Sequence, residues 1–150
     1  FHLINISKLR NMLSVSDAEK LVHAFMTSRI DYCNALLGGC PVSLINKLQL
    51  VQNVAARVLT RSRKYHHITP IFSSLHCPSV KFQIHYNLLL LPYKALNGLS
   101  PCISSLLTRY NPSRSLRSQN SGLLVVPRIA KSTKGGRAFS HLAPKLWNSL

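Results

Sequence analysis

The fold is decided by residues 41–64, which read PVSLINKLQLVQNVAARVLTRSRK. Their apolar positions recur at intervals of three and four residues, which is the spacing of one side of an α-helix. We therefore predict one long helix that starts near Pro41, because proline is tolerated in the first turn of a helix. The predicted apolar face consists of Leu44, Leu48, Val51, Ala55, Val58 and Leu59.

Positively charged residues far outnumber negatively charged residues in this chain. The 150 residues include 19 lysines and arginines but only 3 aspartates and glutamates, so the formal net charge is +16. The carboxylates are Asp17, Glu19 and Asp31, and none follows residue 31. A two-metal polymerase or nuclease needs several converging oxygen ligands, and most glycosidases need a pair of carboxyl groups. We therefore expect no enzymatic activity, no cofactor and no small-molecule substrate.

The cations of the predicted long helix fall on one side of it. At 100° per residue, Arg57, Arg61 and Lys64 lie within about 60° of one another and nearly opposite the apolar face. In most proteins a stripe of this kind is a solvated surface. Here no acids are available to pair with it, so we interpret the stripe as a surface that binds phosphate.

Neither the cysteines nor the histidines have the spacing of a metal site. Cys33, Cys40, Cys77 and Cys102 form no CxxC pair, so we predict buried thiols in a reducing compartment and no zinc. The pair His66-His67 leaves open a small histidine-dependent nuclease, which is the weakest of the alternatives. A nucleophilic cysteine or serine would need a histidine oriented by a third group, and few acids exist to orient one.

The segment before residue 41 is also predicted to be helical. A first helix covers Leu3 to Leu13, and Ser16 to Glu19 fits a capping box that opens a second helix, which Gly38-Gly39 ends. We expect the apolar face of the long helix to pack against Phe25 and Leu36. Leu3, Ile6 and Leu9 are expected to lie bare.

The segment after residue 64 continues with shorter helices around one long apolar helix. Thr69-Pro70 opens a short helix to Leu75, and the long one covers Val80 to Leu91, against which the 41–64 helix should pack. Pro92 should kink it, and Asn97-Gly98 should stop it. A further short helix runs from Ser100-Pro101 to Leu107. Because no apolar run reaches 18 residues, we expect no membrane span.

The composition changes at residue 111, so we divide the chain into three parts. Residues 1–110 are predicted to form a helical bundle, residues 111–137 a basic Ser/Arg/Gly-rich linker, and residues 138–150 a truncated helical segment. Within the linker, Leu123 to Pro127 is a short extended run, and its proline favours an edge or isolated strand. Residues 131–137 read as a mobile cationic loop. Since the chain starts at Phe1 without a methionine, we interpret it as a fragment.

Four separated blocks carry a resemblance to a known family. They are TSRIDYCNALL at residues 27–37, LQLVQNVAAR at 48–57, YKALNGLSP at 93–101 and APKLWNSL at 143–150. In this order they resemble the segment that follows the catalytic palm in the reverse transcriptase of vertebrate LINE-type non-LTR retrotransposons. The resemblance covers essentially the whole chain. Pro92 departs from it, since an ordinary apolar residue or threonine is expected there.

The resemblance implies a mainly α fold: a thumb-like helical bundle followed by an irregular basic C-terminal extension with a short strand and a terminal helix. It also implies that the parent protein is an RNA-directed DNA polymerase that travels with its RNA between cytoplasm and nucleus. The aspartates of that polymerase belong to the palm, which would be a partner of this segment. No catalytic residue is therefore carried over to this chain.

The leading hypothesis is a non-catalytic polymerase fragment that holds template RNA or RNA/DNA duplex by its phosphates. The predicted nucleic-acid-binding residues are Arg57, Arg61, Arg63, Lys64, Lys131, Lys134 and Arg137. Tyr65, Tyr93, Tyr110 and Trp147 offer rings for stacking on unpaired bases, although we favour core packing for Tyr93 and Trp147. The alternative function is a basic helical protein-interaction module derived from a decayed element.

Overall fold

The computed structural model describes residues 2–112 and 122–150, and these are mainly helical, as predicted. The helices are α1 His2–Leu9, α2 Val15–Val22, α3 Ser28–Asp31, α4 Val42–Thr60, α5 Thr69–Ser74, α6 Val80–Leu96, α7 Pro101–Ser104, α8 Ser132–Gly135 and α9 Phe139–Trp147. A π-helical turn, His23–Thr27, joins α2 to α3, and a 3-10 turn, Asn34–Leu37, follows α3. Residues 113–121 of the predicted linker lie outside the described residues.

The chain forms two compact units. The first unit comprises Phe1–Leu36 and Pro41–Gln83, and the second comprises Leu37–Cys40 and Ile84–Leu150. The division into 1–110, 111–137 and 138–150 was drawn from composition, and it stays a prediction.

The core of the first unit lies between α1, α2 and α4. Ile6, Val22 and Ala55 are buried there, and Leu3, Leu21, Met26, Val58 and Leu59 pack around them. The expectation that Leu3 and Ile6 lie bare is therefore wrong, because α1 uses these side chains to pack on α4. Leu9 is half exposed, as expected.

Two expected contacts of the long helix are absent from this core. Phe25 is 37% exposed and stacks on His2, with ring centroids 4.9 Å apart. Leu36 is 78% exposed, because α3 ends at Asp31 and Cys33 takes a left-handed conformation, so the predicted helix does not reach Leu36. Helix α4 therefore packs on α1, α2 and α5, and neither Phe25 nor Leu36 belongs to its core.

The N-terminus of α2 is capped two residues earlier than predicted. Ser14 is the N-cap: its Oγ accepts a hydrogen bond from the backbone N–H of Asp17 at 3.1 Å and donates to Asp17 Oδ2 at 2.6 Å. The Ser14 hydroxyl lowers the pKa of Asp17, and Lys20 acts in the same direction from 3.7 Å. The N-cap of α2 is therefore Ser14 and not Ser16.

Helix α4 ends earlier than the cationic stripe requires. It stops at Thr60, and Arg61 has a left-handed backbone with φ of 53°. The backbone N–H of Ser62 donates to the carbonyl of Arg57 at 3.1 Å, which is the long-range hydrogen bond of a Schellman motif. The prediction that Arg61 and Lys64 continue the helix is therefore wrong.

Side chains of α4 hold the first turn of α6. The backbone N–H of Val80 donates to Gln49 Oε1 at 2.9 Å, and Gln52 Nε2 donates to the carbonyl of Pro78 at 2.9 Å. Gln52 is buried, so its amide group needs these partners. The early backbone donor of α6 is thus satisfied by a neighbouring helix.

Helix α6 continues through the buried Pro92 and ends as predicted. Gly98 has φ of +74°, and the backbone N–H of Leu99 donates to the carbonyl of Lys94 at 2.9 Å. This is again the Schellman arrangement, here with the glycine that it prefers. The stop at Asn97-Gly98 is confirmed.

The core of the second unit gathers around Leu124. Ala95, Leu107 and Leu124 are buried, with Leu96, Ile103, Phe139 and Trp147 packed against them. Trp147 thus packs in the core, as expected. Tyr93 is about half exposed, so the same expectation for it is wrong.

The extended run near Leu124 pairs with residues 108–110 through an isolated antiparallel bridge between Arg109 and Leu124. Tyr110 N–H donates to the Leu123 carbonyl and Val125 N–H donates to the Thr108 carbonyl, both at 2.9 Å. On its other side, Asn148 Oδ1 accepts from Leu124 N–H at 2.9 Å and Asn148 Nδ2 donates to the Leu124 carbonyl at 2.8 Å. The predicted strand is therefore only a bridge within the described residues.

Candidate nucleic-acid interface

The main candidate site is a cavity of about 610 Å³ in the first unit, which has the form of a groove open to solvent. It lies beside the second half of α4, next to the end of α1 and the turn that follows α4. Its apolar lining comes from Leu50, Val54 and Val58 of α4. The cations that line it are Arg10, Arg57, Arg61 and Lys64, and the uncharged polar residues are Ser7, Asn11, Asn53 and Ser62. None of these described lining residues carries a carboxylate.

Arg10 is a buried cation at the edge of this cavity, with 6% of its surface exposed. Its guanidinium donates from Nε to the carbonyl of Val58 at 3.2 Å, from Nη1 to Leu13 at 3.1 Å and from Nη2 to Leu59 at 2.9 Å. Two of these carbonyls belong to the last turn of α4, where the helix dipole favours positive charge. Arg10 forms no ion pair with a described carboxylate, so backbone carbonyls and the end of the α4 dipole are what stabilise its charge.

Arg57 is partly buried, and its Nη2 donates to the carbonyl of His66 at 3.3 Å. Its Nε is buried and has no hydrogen-bond partner among the described residues. Arg57 is therefore only partly accessible on the predicted phosphate-binding surface. Because the Nε atom is shielded from solvent, a ligand in the cavity would interact with Arg57 through the charge of its guanidinium group and not through Nε.

Arg61 and Lys64 are exposed on the same cavity. Arg61 Nη2 donates to the backbone carbonyl of Arg10 at 3.0 Å, which ties the turn after α4 to the end of α1. The structure therefore brings Arg57, Arg61 and Lys64 together, although by a left-handed turn and not by a continuous helix. None of the three is paired with a described acid.

Arg63 lies in the same turn and is exposed, but it does not line the cavity. Tyr65, two residues later, is 90% exposed, and the neighbouring His66 and His67 are also exposed. The turn after α4 therefore carries further positive charge and an accessible aromatic ring. Such groups suit a surface along which a nucleic-acid backbone runs.

The second predicted cluster, Lys131, Lys134 and Arg137, belongs to the second unit and is exposed. The prediction of a mobile loop is wrong for part of it, because Ser132–Gly135 is the helical turn α8. Arg137 Nη2 donates to Cys40 Sγ at 2.9 Å. A Cβ at Gly39 would lie 3.0 Å from Arg137 Cγ, so the Arg137 side chain packs closely against Gly39.

Sequence reasoning missed Arg10 and Asn53 of the first site, and Gln49, which bonds to Asn53 from outside it. Arg10 lies at the end of a short helix, and nothing in the sequence distinguishes it from a solvated arginine. Asn53 and Gln49 form a side-chain hydrogen bond, from Gln49 Nε2 to Asn53 Oδ1 at 2.9 Å, that no periodicity predicts. Their spacing of four residues on one helix is the only available signal.

The thiols are less uniform than predicted. Cys33 and Cys102 are exposed, which contradicts the prediction of buried thiols, whereas Cys40 and Cys77 are partly buried. Burial raises the pKa of Cys77. Within residues 2–112 and 122–150, no three His, Cys, Asp or Glu side chains gather as metal ligands.

No helix in the described part of the chain has both the length and the apolar character to cross a membrane. Comparisons of the chain with protein-family models, with curated proteins and with solved structures find no match.

Proposed function

We propose that this chain is the non-catalytic, post-palm segment of a LINE-type retrotransposon RNA-directed DNA polymerase. It holds template RNA or RNA/DNA duplex through phosphate contacts. The four sequence blocks that resemble this family support the parentage. One structural observation carries the binding function: Arg10, Arg57, Arg61 and Lys64 line one cavity that has no carboxylate among its described residues.

The chemistry of these groups suits holding a backbone. Lysine and arginine neutralise phosphates and release the counterions condensed on them, which favours binding at low salt. Contacts of this kind fix position and orientation but carry no sequence information. We therefore propose binding with little sequence preference.

Salt dependence tests this function. The full chain is titrated into fluorescently labelled RNA and RNA/DNA duplexes at several potassium chloride concentrations. If four to six cations contact phosphates, the logarithm of the binding constant should fall against the logarithm of salt with a slope of about −4 to −5. Replacing Arg57, Arg61 and Lys64 together by glutamine should remove about 2 to 3 units of this slope.

Two comparison variants make the result specific. Replacing Lys8, Lys20 and Arg29 by glutamine removes the same charge from exposed positions of the first unit that do not line the cavity, and should change the slope by less than about 1. Replacing Lys131, Lys134 and Arg137 should cost less than the cavity variant, since Arg137 is already bound to Cys40. Equal slopes for the wild type and the cavity variant would contradict the proposal.

A protein-interaction module is the alternative function, and a specific observation favours it. Leu36 and Val42 of the first unit are 78% and 72% exposed, and Tyr32 is similarly bare. Exposed apolar side chains often mark a protein interface. Binding to such a partner would weaken little as salt rises, in contrast to phosphate binding.

A further inference from the structure

We propose that the cavity of the first unit accepts one unpaired nucleotide of a single strand. Its base lies against the apolar floor formed by Leu50 and Val54, and its phosphate lies against Arg61 and Lys64. This inference rests on the proposed function and specifies what that site binds: a single-stranded template position and not only the outside of a duplex.

The floor of the cavity is the first argument. Leu50 and Val54 are 63% and 47% exposed, and they lie four residues apart on one face of α4. Val58 continues this face one turn further. Apolar side chains contribute nothing to phosphate binding, but they gain free energy when a flat, weakly hydrated group covers them. A nucleobase is such a group, and it is chemically attached to the phosphate that the cations attract.

The size of the cavity is the second argument. A volume of about 610 Å³ is far more than a phosphate group needs, and it lies in the range of ordinary small-molecule sites. The bases of a duplex are stacked and paired inward, so they cannot enter it. An unpaired nucleotide can be splayed out into a pocket, which is how proteins usually recognise RNA bases.

Charge is the third argument, and it selects an anionic ligand. Arg10 is buried beside the cavity without an acidic partner, and Arg57 carries a buried Nε without a hydrogen-bond partner among the described residues. Four lining cations without a carboxylate among the described lining residues give the cavity a positive potential, which favours an anion. Arg61 and Lys64 are exposed at its rim, where they can reach a phosphate.

The polar wall indicates weak selectivity among bases. Asn53 Oδ1 accepts a hydrogen bond from Gln49 Nε2 at 2.9 Å, which leaves the Asn53 Nδ2 group to donate. A donor of this kind can bond to an acceptor on the edge of any base. We therefore expect the cavity to bind a nucleotide more tightly than a sugar phosphate, with similar affinities for nucleotides that carry different bases.

The test compares a ligand that has a base, a sugar and a phosphate with one that lacks the base and one that lacks both base and sugar. Adenosine 5′-monophosphate, ribose 5-phosphate and inorganic phosphate are titrated into the full chain, and NMR follows the methyl groups of Val54 and Val58. We expect the nucleotide to bind about tenfold more tightly than ribose 5-phosphate, which is the gain from covering a small apolar area. The methyl shifts should respond to the nucleotide only.

Variants of the floor complete the test. Leu50→Gln and Val54→Gln each make the exposed floor polar, and each should remove the advantage of the nucleotide. Val42→Gln is the matched control, because Val42 is 72% exposed on the same helix and does not line the cavity. This control should keep the tenfold advantage.

The outcomes separate this inference from the function on which it rests. Equal affinity for the nucleotide and ribose 5-phosphate, with salt-dependent RNA binding retained, overturns the base pocket alone. Absence of salt-dependent binding to any RNA overturns the proposed function as well. Tighter binding of an acidic apolar peptide, with no response to the nucleotide, would assign the cavity to a protein partner instead.

Discussion

Arg10 donates a hydrogen bond from Nη2 to the carbonyl oxygen of Leu59 at 2.9 Å, and so joins the segment after α1 to the last turn of α4. This bond is one of three that the buried guanidinium makes to backbone carbonyls. The carbonyls at the end of a helix have no partner within the helix. Arg10 therefore supplies the donors that the end of α4 needs.

We predict that Arg10→Met lowers the free energy of unfolding by about 2–4 kcal/mol, because it leaves buried carbonyls unsatisfied. Arg10→Lys should recover only part of this loss, since an ammonium group lacks the planar fork of a guanidinium. Urea denaturation measures both. Arg29→Met, at an exposed position, is the control, and a stability loss as small as its own would refute the role of Arg10.

Arg61 allows a second prediction, because it is a non-glycine residue at a left-handed helix end, with φ of 53°. Arg61→Gly and Arg61→Ala both lose the side-chain bond to Arg10, so their difference reports the backbone alone. We expect the glycine variant to be more stable by about 1 kcal/mol. At Thr60, the last helical residue, the order should reverse, with alanine favoured over glycine. The same order at both positions would mean that Arg61 is not left-handed in solution.

Asp17 gives a prediction about pH. Its pKa in the folded protein is lowered from the ordinary value of 3.8, mainly by the Ser14 hydroxyl. The stability that follows from this shift is present above pH 3.8 and is lost as the pH falls through the lower folded-state pKa. Ser14→Ala should raise the pKa of Asp17 in an NMR titration of its carboxyl group. Ser16→Ala should leave it where it is, and an unchanged pKa of Asp17 in Ser14→Ala would contradict the cap at Ser14.

Asn148 gives a prediction about the second unit, since its side-chain amide satisfies both backbone groups of Leu124. Asn148→Leu should cost about 1–3 kcal/mol and speed hydrogen exchange of the Leu124 amide. Asn148→Asp should be most destabilising above the pKa of the new carboxyl, because the ionised group cannot donate to the Leu124 carbonyl. Asn46→Leu, at an exposed position in α4, is the control. Unchanged exchange at Leu124 in Asn148→Leu would contradict this arrangement.

The parts of the fold that were predictable are those with a local signal. The long apolar helix and its stop at Gly98 follow from periodicity and from a glycine that tolerates a positive φ. The end of α4 was not predictable, because Arg61 takes the left-handed conformation without being glycine. Its stabilisation comes from Arg10, which lies 51 residues earlier in the chain.

The start of α2 shows a different limit. Ser14 and Ser16 are each followed, three residues later, by a carboxylate, so the sequence contains two equivalent capping boxes. Only the tertiary structure selects between them. The pattern predicts that a cap exists there, but not which serine forms it.

The candidate site was predictable in composition but not in shape. The absence of acids after residue 31 indicates that the cations near residue 60 are unpaired, and the structure places three of them on one cavity. The cavity itself depends on α1 packing beside α4, which is a long-range contact. Helical periodicity around α4 alone does not indicate that contact.

The side-chain hydrogen bonds of Asn148 also limit aggregation of this protein through strand pairing. Residues 123–126, Leu-Leu-Val-Val, are apolar and uncharged, which is the composition of segments that recruit further strands into aggregates. Thr108 and Tyr110 cover one edge of this run, and at Leu124 the Asn148 amide occupies the other, as a peptide group of a neighbouring strand would. The Asn148 side chain therefore blocks a second molecule from adding a strand at Leu124, although Asn148 itself belongs to no strand.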